Sequence, residues 1–228
     1  MLLKKWQDLP LKMQNEAVRP YYEGLQRKKL GLLCKFGFDR LMALTMLLML
    51  APIFVFLSIA IKLDSAGDVF FRQVRITQYG KQFLIYKFRT MVQHAETLGA
   101  QVTAKQDARV TKLGKHLRSC RLDELPQLIN VLKGEMSFVG TRPEVPRYVA
   151  AYTPEMLATL LLPAGITSEA SILYKDEEEE LSTGKNIEAI YREQVLPAKM
   201  AYNLASLATF SFWRELRTMF KTVLAVLK

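Results

Sequence analysis

The chain has 228 residues, 50% of them hydrophobic and 24% charged, which suits one sizeable core with or without an appendage and is not a disordered composition. Its 32 Lys and Arg against 22 Asp and Glu leave a net +10, so anionic partners are expected: nucleic acid, lipid head groups or phosphorylated small molecules. Cys34 and Cys120 lie far apart without CxxC or Cys/His spacing, which suggests neither a disulfide framework nor a zinc site and fits a reducing compartment.

Residues 1–38 mix Leu, Trp6, Tyr21 and Tyr22 with lysines and arginines, and read either as an interfacial lead-in or as a solvated surface helix. From Leu41 to Ile61 the sequence LMALTMLLMLAPIFVFLSIAI carries no charge, and it is just long enough to span a bilayer as a helix. Pro52 stands in its middle, where it removes a backbone donor and clashes with the preceding turn, so a break or kink is expected there. The flanks are alike in charge, with Lys28, Lys29, Lys35 and Arg40 before and Lys62, Arg72, Arg75 and Lys81 after, which sets no orientation. Two topologies remain open from the residues: a helical hairpin that enters and leaves by one face, and a kinked span.

Beyond the apolar run, VFFRQVRI (69–76) and FLIYKF (83–88) flank the turn-like TQYGKQ and predict a β-hairpin. A helix is expected from Met91 to about Gly99, then a polar, basic stretch to Gly114. LPQLINVLKG (125–134) has helical spacing, with Pro126 in the first turn and Gly134 where a C-terminal glycine belongs. NIEAIYREQVLPAK (186–199) leads into a strongly helical end, about 198–228, where Trp213, Phe220 and Leu224 recur at helical spacing. Core packing is the expectation for that stripe, and membrane contact the alternative. The acidic run DEEEE (176–180) is expected to be a solvated loop. His94 and His116 stand apart, and no GxGxxG or GxxxxGK[ST] occurs.

RLDELPQ (121–127) is the most informative stretch. Asp123 and Glu124 precede a helix, and an aspartate there commonly caps the free N–H groups of the first turn. Capping one helix does not account for two adjacent carboxylates together with Arg118, Arg121 and, downstream, Arg142 of VGTRPE. The set fits a di-anionic ligand held by guanidinium groups, with a divalent cation offsetting the remaining charge. One carboxylate kept ionised by such cations is able to attack phosphorus while the other holds Mg2+.

KFRTM (87–91), LRSCRLDELPQLINVLKGEMSFVGTRPE (117–144), PAGIT (163–167) and KFGFDR…AP…IKLDSAGDVFFRQVR (35–75) together resemble the bacterial sugar transferases, the small monotopic phosphoglycosyl transferases, from about Lys35 to the chain end. The resemblance implies a mostly helical α+β protein at the bacterial inner membrane: a lead-in (1–38), a re-entrant helix-break-helix at Pro52 (39–63), a cytoplasmic catalytic domain (64–197) and a C-terminal amphipathic helix (198–228). It implies transfer of a sugar 1-phosphate from a UDP-sugar to polyprenyl phosphate with release of UMP, in a ping-pong cycle through a covalent aspartyl phospho-sugar. Carried over, Asp123 is the nucleophile and Glu124 the Mg2+-binding partner. Lys87, Arg89, Arg118, Arg142 and Pro143 are implied to hold donor or lipid phosphate, and Lys35 and Asp39 to form a head-group-facing pair. Phospholipid and a second copy of the chain are further implied partners, and nucleic acid is not.

Departures from the family pattern occur at Ala51, where serine usually precedes the proline, at Asp68 and Thr141, often proline, and at Ser168 and Glu169 in GITSEASILY. The last two put sugar specificity in doubt. An inactive membrane scaffold for glycan assembly is the competing reading, and intact Asp123, Glu124, Arg118 and Arg142 argue against it. A phosphodiesterase that hydrolyses the donor and a membrane-attached nucleic-acid binder are the others.

Overall fold

The computed structural model describes residues 3–93, 95, 107–174 and 187–227. Two short 3-10 turns, Trp6–Asp8 and Leu11–Met13, lead to helix α1, Arg19–Gln26. Leu9, Met13, Val18, Tyr22 and Leu25 are buried against Ala158, Leu160, Leu161, Leu162 and Phe210. The lead-in therefore contributes to a core and is more than a surface segment. Its apolar residues close over a turn, Met156–Leu161, that would otherwise expose them to water.

Helix α2 runs from Lys29 to Asp64 without interruption. At 36 residues it is about 54 Å long, well beyond the roughly 30 Å of a bilayer's hydrocarbon core. The break expected at Pro52 is absent: one proline removes one backbone bond, and packing holds the helix to the same body on both sides of it. Leu32, Phe36 and Ala43 are buried before the proline, and Leu57 and Ile61 after it. Phe54 and Phe88 stack in a tilted pair with centroids 5.2 Å apart. The opposite stripe is open: Leu30, Leu41, Leu48, Met49, Phe56 and Ile59 are each more than half exposed.

The Lys35 and Asp39 pair does not face outward as expected. Both are buried; Lys35 Nζ donates to the Val139 carbonyl at 2.9 Å and to Glu215, and Asp39 Oδ2 accepts from Ser137 Oγ at 2.6 Å. They lie on the packed stripe of α2, where an unpaired charge costs too much, and each has found a partner in the domain. Arg89 binds the other end of α2, donating to the carbonyls of Ser65 at 2.6 Å and Ala66 at 2.7 Å.

Strands β1 (Phe70–Ile76) and β2 (Gln82–Phe88) form the expected antiparallel hairpin, in register Phe70 opposite Phe88. Helices α3 (Lys112–Ser119) and α4 (Gln127–Lys133) follow, the second ending on Gly134 with a left-handed φ of 77° as expected. A second sheet was not anticipated: β3 (Met136–Val139) pairs in parallel with β4 (Ala164–Thr167), across the short helix α5 (Pro146–Val149) and the Met156–Leu161 turn. These strands have only four residues each, too few for alternation to appear in the sequence. Ala43 of α2 packs with Phe83, Ile85, Leu128, Val131, Met136, Phe138 and Ala164, joining both sheets to α4.

Helix α6 (Glu169–Leu173) explains one departure from the family pattern, because Ser168 caps it by accepting from the Ser171 N–H at 3.0 Å. Glu169 ties α6 to its neighbours through Ser206 and Arg214. A short helix α7 (Ile187–Ile190) passes through a π turn (Tyr191–Val195) into α8 (Leu196–Ala208), and α9 (Phe212–Leu227) follows. The single terminal helix is thus two, parted at Thr209–Ser211. Trp213, Phe220 and Leu224 are 76%, 66% and 46% exposed, which corrects the expectation of core packing. Met91 lies in a bridge with Val110 rather than in a helix, and the DEEEE run and His94 lie outside the described residues.

Candidate active site around Asp123 and Glu124

Local chain geometry creates the site. Arg121 takes a left-handed φ of 56°, which ends the α3 segment and turns the chain into a 3-10 turn, Leu122–Glu124. Helix α3 is pressed onto the strand end at Thr90: a Cβ on Gly114 would lie 2.1 Å from the Thr90 carbonyl oxygen, so only glycine allows this approach. From there Arg118 Nε donates to Thr90 Oγ1 at 3.1 Å. The capping reading of the acidic pair fails, since Pro126 holds the N-terminal position of α4 and neither carboxylate caps it.

Glu124 is clamped from two sides. Lys87 Nζ, on β2, reaches its Oε1 at 2.8 Å, and Arg142 Nη2 reaches the same oxygen at 2.7 Å, while Oε2 is approached only at 3.5 Å by Arg142 Nη1. Burial opposes ionisation of Glu124, but Arg142 and Lys87 outweigh it and hold the acid well below the usual carboxylate range. Asp123, 7% exposed, behaves oppositely: burial pushes it up, Lys87 pulls back, the charge on Glu124 pushes again, and Arg118 and Arg142 pull. Burial also lowers Lys87, which Glu124 resists. Two adjacent carboxylates are thereby driven apart in acidity, one a fixed anion and one desolvated and poised, a division of roles typical of reactive sites.

The loop after β3 delivers Arg142. Its backbone is anchored by Arg75 Nη1 donating to the Pro143 carbonyl at 3.0 Å and by the Ile76 N–H donating to the Glu144 carbonyl at 3.0 Å, and its Glu144 side chain accepts at Oε1 from the Tyr191 hydroxyl at 2.6 Å. Lys87, Arg118, Asp123, Glu124 and Arg142 thus come together as the sequence suggested. Arg89 does not join them: its guanidinium turns to the end of α2. Pro143 is buried and contributes a carbonyl rather than a surface for ligand.

Sequence reasoning missed Thr90, Arg75, Glu144 and Asn130. Asn130 Oδ1 accepts from the Tyr86 N–H at 3.0 Å and its Nδ2 donates to the Leu84 carbonyl at 2.8 Å, so α4 completes the free edge of β2 and fixes Glu124 against Lys87. An asparagine inside an apolar helical repeat, LPQLINVLKG, was its only signal.

Beside Glu124 a cavity of about 530 Å3 opens, lined by Arg121, Glu124 and Arg142 and otherwise largely by apolar residues of α2, α4, β3, β4, α6 and α9. Among the described residues no three His, Cys, Asp or Glu side chains gather as a metal cage. The acidic pair is instead a partial donor set of hard oxygens, with Glu124 Oε2 the less engaged.

A family model described as bacterial sugar transferase matches residues 30–228. Over 196 residues the chain is 34% identical to a UDP-N-acetylgalactosamine-undecaprenyl-phosphate N-acetylgalactosaminephosphotransferase of Aeromonas hydrophila, covering 85% of this chain and 43% of that protein. It is 35% identical to an undecaprenyl-phosphate glucose phosphotransferase of Komagataeibacter xylinus, covering 87% and 37%. Against a UDP-glucose:undecaprenyl-phosphate glucose-1-phosphate transferase of Caulobacter vibrioides the identity is 36%, covering 78% and 63%. The chain spans less than two thirds of the length of each of these relatives.

Proposed function

Because the chain belongs to the bacterial sugar transferases, we propose that it moves a sugar 1-phosphate from a UDP-sugar to polyprenyl phosphate, releasing UMP. The observation that carries the reading is the Asp123–Glu124 pair, driven apart in acidity by burial of Asp123 and by Lys87 and Arg142 on Glu124, with Glu124 and Arg142 in the lining of a largely apolar cavity. A soluble diphosphate and a lipid phosphate both need cations at one end, and only the lipid needs the apolar walls.

The proposed cycle has two displacements at phosphorus. In the first, a carboxylate oxygen of Asp123 attacks the sugar-bound phosphorus, the bond from that phosphorus to the bridging oxygen breaks, and UMP leaves with the electron pair. In the second, a phosphate oxygen of the lipid attacks the same phosphorus and Asp123 is released as a carboxylate. Arg142 and Lys87 orient Glu124 and offset charge on the diphosphate, and Arg118, positioned by Thr90, receives phosphate oxygens. Carboxylate and substrate phosphate oxygens are the donor set Mg2+ prefers, and Glu124 Oε2 would hold it; bound there, it would neutralise phosphate charge.

The exposed stripe of α2 supports membrane association. Both halves of that helix pack on one domain, which supports a monotopic arrangement rather than a crossing, and a nucleotide-sugar donor puts that arrangement on the cytoplasmic face of the inner membrane. The test is UMP release from a panel of UDP-sugars with Mg2+, with and without polyprenyl phosphate, followed by intact-mass analysis. Lipid-dependent turnover and a phospho-sugar adduct on Asp123 when lipid is withheld are expected. Release of UMP that ignores the lipid would overturn the transfer, and an adduct on another residue would overturn the nucleophile.

A further inference from the structure

Resting on the function just proposed, the geometry points to a place for the acceptor that the charge cluster alone does not give: we propose that the first isoprene units of the lipid lie in the cavity between α2 and α9. The cavity's lining is of two kinds. Arg121, Glu124 and Arg142 are its charged residues, and Arg121 forms no ion pair among the described residues. The rest is mostly apolar, with Met42 and Met46 of α2, Met219 and Val223 of α9 and Leu128, Phe138, Ile166 and Ile172, interrupted by the hydroxyls of Ser119, Thr167, Ser171 and Thr222.

The outer surroundings select the occupant. Leu41 and Leu48, neighbours of Met42 and Met46 on α2, are 67% and 70% exposed, and Phe220 and Val223 on α9 are 66% and 56% exposed. The two helices are locked together by Lys35 with Glu215 and by the edge contact of Phe38 with Phe212, centroids 5.7 Å apart. An apolar chain coming from a bilayer in which these outer residues sit therefore passes between α2 and α9 without crossing water. At about 530 Å3 the cavity falls in the range of roughly 300–1,000 Å3 that buries a small ligand, so it holds the head-proximal part of a long lipid and leaves the rest in the membrane. Three methionines in the wall suit a flexible, branched hydrocarbon, because the thioether side chain repacks around irregular shapes. A hydrated uridine has no comparable match to these walls. The donor is then left the Lys87 and Arg118 side, which does not line the cavity, and Arg142 is shared by both.

Ile172 and Arg121 give the sharpest contrast. Ile172 is an apolar wall of the cavity and Arg121 a cation in its lining, so lipid tail and lipid phosphate address different residues. The experiment uses the full chain in detergent micelles and a prenyl phosphate carrying a diazirine near the phosphate end, with labelled residues mapped by mass spectrometry. Labels on Met42, Met46, Ile172 or Met219, competed by unmodified polyprenyl phosphate but not by inorganic phosphate, are expected. Arg121→Ala should weaken that competition about tenfold, the loss of one charge-assisted contact. Competed labels confined to the outer residues Leu48, Phe56 or Phe220 would overturn this placement and leave the transfer reaction standing. No competed label anywhere also overturns it, and UMP release measured on the same sample then separates a wrong cavity from a wrong function.

Discussion

At the scale of the residue, the adjacent carboxylates differ because their neighbours differ. Glu124 is bridged by two cations, and Asp123 has burial without a hydrogen bond from the described residues. Asp123→Asn keeps size and polarity but cannot form an acyl phosphate, so transfer should fall on the order of 10^3-fold or more with the fold intact. Steady-state UMP release and circular dichroism check this together, and near-normal release would remove Asp123 from the mechanism. The acidity of Asp123 should also be visible in rate. Since burial raises it above the ordinary aspartate value, the acid limb of the first half-reaction should lie above that value. Lys87→Met removes the cation that most opposes the rise, so the limb should move to still higher pH. A pH profile of the UMP burst measures it, and a limb that moves down would contradict the electrostatic account.

At the scale of the element, two buried polar contacts hold the framework. Asn130 of α4 satisfies two backbone groups on the free edge of β2; Asn130→Ala should cost about 1–3 kcal/mol for each group left unpaired and loosen Lys87 against Glu124. Denaturant midpoints should fall, and transfer should fall more than donor binding. Glu215 links α9 to α2 through Lys35, close to Asp39, Ser137 and the Val139 carbonyl. Burial pushes Glu215 up to about 7, against the pull of Lys35. A raised folded value means its contribution is fully present below about 4.5 and is lost as pH climbs through about 7, on the order of 3 kcal/mol over that window. Glu215→Gln should flatten the decline; thermal midpoints of both proteins from pH 4.5 to 7.5 decide it. Neither contact was legible in the sequence, because Asn130 and Glu215 lie in helical repeats and their partners are 46 and 180 residues away. The hairpin, α4 and its glycine end were legible because turn residues and periodicity are local signals.

At the scale of the molecule, the apolar run 41–61 announced a membrane element, yet its partners in the fold were hidden. The packed stripe of α2 is recognisable only once the domain it touches is known, which is why Lys35 and Asp39 looked outward and Pro52 looked like a break. Length alone would let α2 cross a bilayer, and it is the one described helix long and apolar enough to do so. Crossing, however, would put Phe36 and Ile61 on opposite sides, and both are buried against a single domain with Leu57 beside Phe88 and Leu117. Separating either end from that domain would expose its apolar partners and strand the Lys35 and Asp39 charges, a penalty of several kcal/mol. Both ends of α2 are therefore expected on one face. Native Cys34 is exposed near the start of the helix, and Asp64→Cys in a Cys120→Ser background adds a reporter at its end. In sealed inverted membrane vesicles an impermeant maleimide should label both positions to similar extent, and detergent should add little. Protection of one position until detergent is added would mean that α2 crosses and that the domain packs on only one of its halves.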